Sequence, residues 1–356
     1  MRVGVFGCGY WGSKHVRVLS GMPEVDLVVA VDPMLERTKA LQRAFPGLLC
    51  VEDFEQALDF IDAAIVATPP RTHADLANRL MRAGKHVLVE KPMATDVDDA
   101  REMLRSAADN KVTLMAGHTF EYNAAVHRLR DIVAGGELGR IYYIDTARLN
   151  LGLYQSDVNV VWDLAPHDVS IINHVLGSEP TAVQAWGSRH AGSKFEDVAY
   201  MRLEYGHVGA TANVHVSWLD PCKVRRVTVV GSERMAVYND LADEERLRIY
   251  DKGVSMAEET NSPQLPMSYR YGGITLPHIV FKEPLAEQDA HFIASALSGG
   301  RPKTHGHNGL GVVKVLAAAE QSVRSGSLIE IENDDPIDLV SERTAEVGMT
   351  SGAMSS

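Results

Sequence analysis

Three polar side chains, at two places along the chain, have the chemistry to move a proton. Lys91 follows the apolar run His86–Val89 and precedes Pro92, which favours extended backbone at the lysine. Asp163 and His167 are four residues apart, a spacing that puts two side chains on one face of a helix. Such groups can exchange a proton with a hydroxyl while a carboxylate orients the partners. A solvent-facing strand end at Lys91 and a structural histidine at 167 are the alternatives.

The helix that would carry this pair is predicted from Pro166 to Leu176, with Gly177 as its stop. Asp163 fits there as an N-cap, a common role for an acid. Because Pro166 has no N–H, such a cap would have only one backbone donor to accept from. We therefore expect Asp163 to be partly free to orient His167 or bound hydroxyl groups.

A glycine-rich turn follows the N-terminal segment, residues 1–6, which is apolar enough for a buried parallel strand. The spacing Gly-x-Gly-x-x-Gly suits a pyrophosphate site: one glycine makes the tight turn, one lets backbone approach the phosphates, and one lets the next helix pack closely. A plain turn explains the glycines alone equally well. The residues of the turn that would face a ligand are Gly7, Gly9, Tyr10, Trp11 and Gly12.

The segment Leu27–Val31 is a second predicted strand and ends at Asp32, 20 residues beyond Gly12. An acid at this place accepts hydrogen bonds from an adenosine ribose. With a predicted helix between the strands, the order of elements indicates a dinucleotide site. The charge of Asp32 would repel a 2′-phosphate, so NAD is favoured over NADP. Arg37, one turn into the next helix, keeps NADP as the alternative.

The composition narrows the class of protein. At 356 residues, 45% of them hydrophobic and 23% charged, the chain is an ordinary globular sequence of about two domains. A formal charge of −12 argues against nucleic acid or an anionic membrane as a partner. A strand at the start and the absence of long apolar runs predict neither signal peptide nor membrane span, hence a cytoplasmic protein. His305 and His307 lack a third ligand nearby, so no metal is expected.

Strand and helix patterns alternate up to about residue 121. This alternation predicts an N-terminal domain, residues 1–121, built on a doubly wound parallel sheet. Ligands of such sheets bind beyond the carboxyl ends of the strands. The candidate cofactor-binding residues at these ends are Thr68, Pro69, His73, Glu90 and Lys91.

Strand-like segments then follow one another with short turns, which is typical of antiparallel hairpins. They predict a second, α+β domain over residues 122–340 with a mostly antiparallel, open sheet. Within it, residues 250–284 contain four prolines and a Gly-Gly pair and are expected to be a long irregular excursion. Residues 341–356 have little to bury and are expected to form a disordered tail.

Hydroxyl and amide side chains near the predicted catalytic pair suit a sugar ring, and each also fits ordinary loop chemistry. Arg148 is the nearest candidate cation for a phosphate or carboxylate, unless it is a solvated strand residue. Trp162 would either stack on a ring or fill the core. The candidate substrate-binding residues are Tyr122, Asn123, Asn150, Tyr154, Asp163 and His167.

Five segments in this order resemble the Gfo/Idh/MocA oxidoreductases: GCGYWG, ATPP followed by His73, GKHVLVEKPMA, AGHTFEYNAAV and DLAPHDVS. The resemblance implies a nicotinamide-dependent dehydrogenase with an N-terminal Rossmann domain. It also implies a C-terminal α/β domain whose open sheet forms a subunit interface, hence a homodimer or homotetramer.

Within that family, the run LGLYQSDVNVVWDLAPHDVSI resembles dehydrogenases that act on sugar nucleotides or related sugars. The function to expect is NAD-linked interconversion of a ring hydroxyl and a ketone, with the 3-position suggested by the resemblance. Lys91 and His167 would share the proton transfer, with Asp163 in support. The rival enzyme is an inositol-type cyclitol dehydrogenase, and the rival of another class is a dinucleotide-binding regulator without turnover.

Overall fold

The computed structural model describes residues 1–256 and 267–332. Strands and helices alternate in its N-terminal part, as the apolar runs and glycine stops predict. These elements are β1 (Arg2–Phe6), α1 (Tyr10–Leu19), β2 (Leu27–Val31), α2 (Leu35–Ala44), β3 (Leu49–Val51), α3 (Phe54–Leu58), β4 (Ala63–Val66), α4 (His73–Arg82), β5 (His86–Glu90), α5 (Val97–Asp109) and β6 (Leu114–Gly117).

The six described strands of this part form one parallel sheet in the order β3-β2-β1-β4-β5-β6. The prediction of a doubly wound parallel sheet is confirmed. Its strands are short apolar runs because helices cover both faces, and β4 is buried at every residue. The chain order reverses between β1 and β4, which places a ligand crevice at their carboxyl ends.

A second sheet follows the short 3-10 helix Thr119–Tyr122, in which the predicted domain boundary falls. Its helices and strands are α6 (Ala124–Ala134), β7 (Ile141–Leu151), α7 (Val160–Leu176), β8 (Ala182–Ser188), β9 (Val198–Tyr205), β10 (Ala210–Ser217), β11 (Leu219–Gly231), β12 (Met235–Asn239), β13 (Leu247–Met256), β14 (Met267–Thr275), α8 (Pro284–Ser298), α9 (Gly306–Ser325) and β15 (Ile329–Glu330).

This sheet has nine described strands in the order β14-β13-β12-β11-β7-β10-β9-β8-β15. Its neighbours pair antiparallel except β10 and β7, which run parallel. The prediction of a mostly antiparallel second sheet is confirmed. Helices α7 and α9 pack on one face of it, against β10 and β8.

One prediction for this part was wrong. Residues 250–284 are not irregular throughout, because β13 and β14 pair antiparallel at the edge of the second sheet. Two of the four prolines that suggested a loop, Pro277 and Pro284, lie after β14, and Gly272 and Gly273 are accommodated at an edge strand. The other two, Pro263 and Pro266, lie outside the described residues. The expected tail, residues 341–356, lies outside the described residues.

The C-terminal helices return to the N-terminal sheet. Helix α8 packs on α1, and α9 packs on α5, α7 and β6. A Cβ on Gly309 would lie 2.5 Å from the sulfur of Met93, so the glycine permits this close approach. Helices α8 and α9 therefore tie the parallel sheet to the second sheet.

Candidate active site

A cleft of about 1050 Å³ runs along the carboxyl edge of the parallel sheet and is closed on its far side by the loop between β7 and α7. Most of the predicted cofactor-binding residues line it, together with Asp163. Gly12 is not among the lining residues, since it packs under the turn. The predicted residues in the lining are Gly7, Gly9, Tyr10, Trp11, Asp32, Thr68, Pro69, His73, Glu90, Lys91 and Asp163.

The glycine turn fits a dinucleotide pyrophosphate. Gly7 has φ +88°, a left-handed conformation that favours glycine, and a Cβ on Gly12 would lie 1.7 Å from the Gly7 carbonyl oxygen. Gly9 faces open space and caps α1 without a side-chain hydrogen bond. The N–H groups of the first turn of α1 are thus left to a ligand, and phosphate oxygens are their natural acceptors.

Asp32 lies at the end of β2 beside this turn and is 1% exposed. Its two carboxylate oxygens accept from the backbone N–H groups of Cys8 and Met34, both at 2.8 Å. Oδ1, which accepts from Met34, keeps a further lone pair that a ribose hydroxyl can use. Arg37 reaches the same carboxylate at 3.4 Å. The arrangement fits NAD, with the arginine already paired to the acid that would repel a 2′-phosphate.

The ends of β4 and β5 are joined by His73. Its two ring nitrogens lie 2.8 Å from the carbonyl oxygens of Pro92 and Thr68, and burial lowers its pKa. Beside it, the Arg71 guanidinium donates to the Asp157 carbonyl at 2.9 and 3.1 Å. This contact holds the loop between β7 and α7 over the cleft.

Lys91 lies where the sheet edge meets α7. Its Nζ donates to the carbonyl oxygen of Asp163 at 2.7 Å and to Oδ1 of the same residue at 3.3 Å. The other carboxylate oxygen accepts from Nε1 of Trp218 at 2.9 Å. Asp163 therefore orients the lysine rather than His167. With Lys91 10% exposed, the Nζ group is held at the cleft wall and shielded from bulk water.

Helix α7 begins earlier than predicted. It runs from Val160, and Asn159 caps it by accepting from the N–H groups of Val161 and Trp162. The N-cap role considered for Asp163 was wrong, because the acid lies in the first helical turn. Pro166 is inside the helix and has no N–H for the carbonyl oxygen of Trp162, four residues earlier. Lys91 donates to the next carbonyl oxygen along the helix, that of Asp163.

His167 lies one turn beyond Asp163 on α7, half-buried, with its ring edge against Phe120 at 5.1 Å. Burial, with the nearby charges of Lys91 and Arg148, lowers its pKa well below the ordinary value. Its Nδ1 is buried with no hydrogen-bond partner in the part of the chain that the structure describes. The imidazole is therefore neutral at pH 7, and the lowered pKa makes it a weak base.

Two of the sequence alternatives are settled by packing. Arg148 is buried and pairs with Asp168 at 2.7 Å beneath His167, so it is neither a solvated residue nor open to a ligand. Its guanidinium also lies 4.7 Å from the Phe120 ring. Trp162 is 4% exposed and donates to Glu320, so it fills the core.

Glu90 belongs to a buried ionic triad. His15, on α1, places Nε2 3.1 Å from Glu90 Oε1 and Nδ1 2.9 Å from Asp289 on α8. Burial lowers the pKa of His15, but Asp289 and Glu90 outweigh it and raise the pKa to about 10. Burial raises the pKa of Glu90, but its bond to His15 outweighs burial, so the pKa is lowered. The second Glu90 oxygen accepts from the Lys91 N–H at 3.2 Å.

Two predicted substrate residues lie away from the cleft. Tyr122 is 6% exposed, and its hydroxyl lies 3.2 Å from the hydroxyl of Thr304. Asn123 is the N-cap of α6, and its side chain accepts from the Ala125 N–H at 2.9 Å. Both side chains support the connection between the two sheets and are not brought to Lys91.

The other two lie beside the cleft loop. Tyr154 donates to Asp197 at 3.2 Å and packs against Trp218, with ring centroids 5.3 Å apart. Asn150, near the end of β7, adjoins Gly152: a Cβ there would lie 3.0 Å from Asn150 Oδ1 and 3.1 Å from Trp218. Tyr154 and Asn150 therefore lie near Trp218, the residue whose indole donates to Asp163.

The cysteine in the glycine turn is not a reactive thiol. Cys8 is buried in the glycine turn, and burial together with Asp32 raises the pKa of its thiol to about 12, so the thiolate is disfavoured at neutral pH.

Over residues 1–256 and 267–332, no three His, Cys, Asp or Glu side chains cluster as metal ligands would. Over the same residues, no helix is long and apolar enough to cross a membrane.

A doubly wound sheet with a glycine turn, a β2 acid and a lysine at the β5 end defines a dinucleotide-dependent oxidoreductase. The chain belongs to the Gfo/Idh/MocA family. Residues 1–118 match the oxidoreductase family with an NAD-binding Rossmann fold, and residues 126–237 match the family's C-terminal domain.

Known relatives include enzymes of sugars and cyclitols. The chain is 30% identical to UDP-N-acetylglucosamine 3-dehydrogenase of Acidithiobacillus ferrooxidans over 260 residues, 71% of this chain and 78% of that enzyme. It is 24% identical to inositol 2-dehydrogenase of Rhizobium meliloti over 342 residues, 93% and 99% of the two chains.

Among solved structures, GenD2 from gentamicin A biosynthesis in complex with NAD superposes with a TM-score of 0.78 at 25% identity, covering 94% of this chain and 97% of GenD2.

Sequence reasoning missed four residues of the site. Trp218 and His15 are separated from their partners Asp163 and Glu90 by 55 and 75 positions. Arg71 reaches its partner across 86 positions, and Asp289 reaches His15 across 274. No local pattern marks these residues, because only the folded sheet brings them to the cleft.

Proposed function

We propose that this protein is an NAD-dependent oxidoreductase that interconverts a ring hydroxyl and a ketone on a sugar or sugar nucleotide, with the 3-position as the first to test. The observation that carries the proposal is the placement of Lys91 Nζ on Asp163, in the same cleft as the glycine turn. The 30% identity to UDP-N-acetylglucosamine 3-dehydrogenase supports the substrate class.

The cofactor would lie with its pyrophosphate at the start of α1 and its adenosine ribose on Asp32. The negative charge of Asp32 repels the 2′-phosphate of NADP and so favours NAD. When bound, NAD supplies the acceptor for the hydride that leaves the alcohol carbon. The buried ends of β4 and β5, joined through His73, hold the cleft floor in place. Arg71 closes the loop between β7 and α7 over it.

Side chains of this protein would accept the proton of the substrate hydroxyl. Lys91 is held against Asp163, so its Nζ points along a fixed direction at the cleft wall. His167 is neutral, so one ring nitrogen keeps a lone pair, and Phe120 packs against the edge of its ring. We assign the proton transfer to Lys91 and His167 together, with Asp163 positioning the lysine and contacting substrate hydroxyls.

An inositol or cyclitol dehydrogenase is the second candidate, because inositol 2-dehydrogenase of Rhizobium meliloti aligns over nearly the whole chain. Purified protein assayed for NADH formation with nucleotide sugars, free sugars and inositols separates the two candidates. Binding of NAD without turnover on the whole panel would favour a dinucleotide-binding regulator instead.

We further propose that the open face of the second sheet joins two copies of the chain. Trp186, Tyr200 and His215 stack across β8, β9 and β10 with centroids 4.3 and 3.9 Å apart, and Trp186 is 58% exposed. An exposed aromatic cluster of this kind is typical of an association surface. Light scattering of the wild type and of Trp186→Glu tests it: we expect an oligomer that the charge dissociates, and a monomeric wild type would refute it.

A further inference from the structure

The buried triad of His15, Glu90 and Asp289 places a fixed charge at the wall of the cleft. Glu90 lines the cleft, whereas the other two side chains lie behind it and are fully buried. Buried ions persist only when they are paired, and here each carboxylate has the imidazole between 2.9 and 3.1 Å away. The triad is therefore more than packing, because apolar side chains would fill the same space at lower cost.

The triad carries a net charge of about −1 at neutral pH, since one imidazolium lies between two carboxylates. The pKa is raised at His15 and lowered at Glu90, as expected for an imidazolium beside a carboxylate. Burial raises the pKa of Asp289, and its contacts with His15 oppose that rise. The adjacent Lys91–Asp163 ion pair sums to zero. Three histidines lie near this edge, and burial lowers the pKa of each, so none adds a positive charge at pH 7: His73, His118 and His167. The cleft wall at the end of β5 is thus negative.

This end of the cleft is where a nicotinamide belongs. A dinucleotide with its pyrophosphate on α1 and its adenosine toward Asp32 on β2 extends its other half to the opposite side of β1. On that side lie β4 and β5, and Glu90 is the last residue of β5. The oxidised nicotinamide ring carries a positive charge, and the reduced ring is neutral.

We propose that Glu90, kept ionised by His15 and Asp289, stabilises oxidised over reduced nicotinamide and so sets the relative affinity of this protein for NAD⁺ and NADH. Glu90 acts on the cofactor through its charge, and His15 and Asp289 are positioning residues. The inference rests on the cofactor in the proposed function and is independent of the sugar.

The test is the ratio of the dissociation constants for NAD⁺ and NADH, measured by calorimetry without any sugar. Glu90→Gln keeps the size and removes the charge, so the ratio Kd(NAD⁺)/Kd(NADH) should rise at least about fivefold. Glu90→Asp keeps the charge and should restore the ratio to within about twofold of wild type, whatever both affinities do. Asp75→Asn is the matched control. Asp75 lines the same cleft, but its side chain is 79% exposed, so solvent screens its charge and the ratio should not change.

If Glu90→Gln left the ratio unchanged, whether or not it weakened the binding of both cofactors equally, the residue would only pack, and the inference would be overturned. If that variant does not fold, the triple variant H15Q/E90Q/D289N removes all three charges without leaving one unpaired, and the same rise is expected. A wild type that binds neither NAD⁺ nor NADH would overturn the inference and the cofactor assignment together. Failure of every sugar to react would leave the inference standing.

Discussion

The buried triad predicts a pH dependence of stability that few other features of the fold would produce. The perturbation is the triple variant H15Q/E90Q/D289N, which replaces the three charges by amides of similar size. Burying ions is costly, so the variant can be as stable as the wild type or more stable at one pH. The prediction concerns how the stability difference between the two proteins changes with pH.

The magnitude follows from His15. Its pKa is about 10 in the folded protein and 6.5 when unfolded, which corresponds to about 5 kcal/mol of folding free energy. A raised folded pKa means that the folded state keeps a proton that the unfolded state has lost. That contribution is complete below pH 6.5 and disappears as the pH rises through 10. Between pH 7.5 and 9.5 the wild type should lose about 2.5 kcal/mol relative to the variant.

The assay is equilibrium unfolding in urea at pH 7.5, 8.5 and 9.5, with the free energies of unfolding of both proteins measured side by side. The comparison cancels every group that the two proteins share, including the exposed lysines and tyrosines. His15 is 0% exposed, so salt should change the result little.

A stability difference that is the same at all three pH values would refute the reasoning, because it would mean that His15 is neutral in the folded protein. A difference that moves in the wild type's favour as pH rises would contradict the sign. In either case Glu90 would lack the imidazolium partner that the inference requires to keep it ionised.

The other predictions concern the cleft. Lys91→Met and His167→Asn should each lower kcat by about 10²- to 10⁴-fold, and in His167→Asn NAD binding, measured by calorimetry, should stay within about threefold; a normal kcat in both would remove them from the proton transfer. Asp32→Ala should raise the preference for NADP relative to NAD by about tenfold in kcat/KM, and an unchanged preference would show that Asp32 does not contact the ribose. Gly12→Ala should weaken NAD binding at least about 100-fold, because the added Cβ meets the turn carbonyl at 1.7 Å. Gly47→Ala is the control, because a Cβ there meets no other atom within 4 Å, and it should bind NAD like the wild type. If Gly12→Ala also bound NAD like the wild type, the glycine turn would not be the pyrophosphate site.

Most of the N-terminal fold could be predicted from the sequence because its signals are local. Leu27–Val31 is apolar because helices cover both faces of the strand, and the glycines mark the turns that the backbone needs. The edge hairpin β13–β14 was missed because an exposed strand has no apolar face to reveal it: every residue of β14 is exposed. Of the described prolines, Pro277 lies just beyond the strand and not inside it.

The site could be predicted only in part for a similar reason. Lys91, Asp163 and His167 are marked by short motifs, but the roles of their side chains are fixed by distant partners. Asp163 bonds Trp218 and Lys91 rather than His167, and that choice depends on where the second sheet places the indole. Tyr122 follows the sixth strand as expected, yet its hydroxyl turns toward the C-terminal segment at Thr304.

The central claim is that the cleft at Lys91 and Asp163 oxidises a ring hydroxyl of a sugar at the expense of NAD. The most direct measurement is NADH formation, with mass-spectrometric detection of the keto product, for wild type and for Lys91→Met on nucleotide sugars, free sugars and inositols. We expect a ketone and equimolar NADH from a sugar or sugar nucleotide with the wild type, and a loss of about 10²-fold or more in the variant. NAD bound tightly with no product on any member of the panel would contradict it.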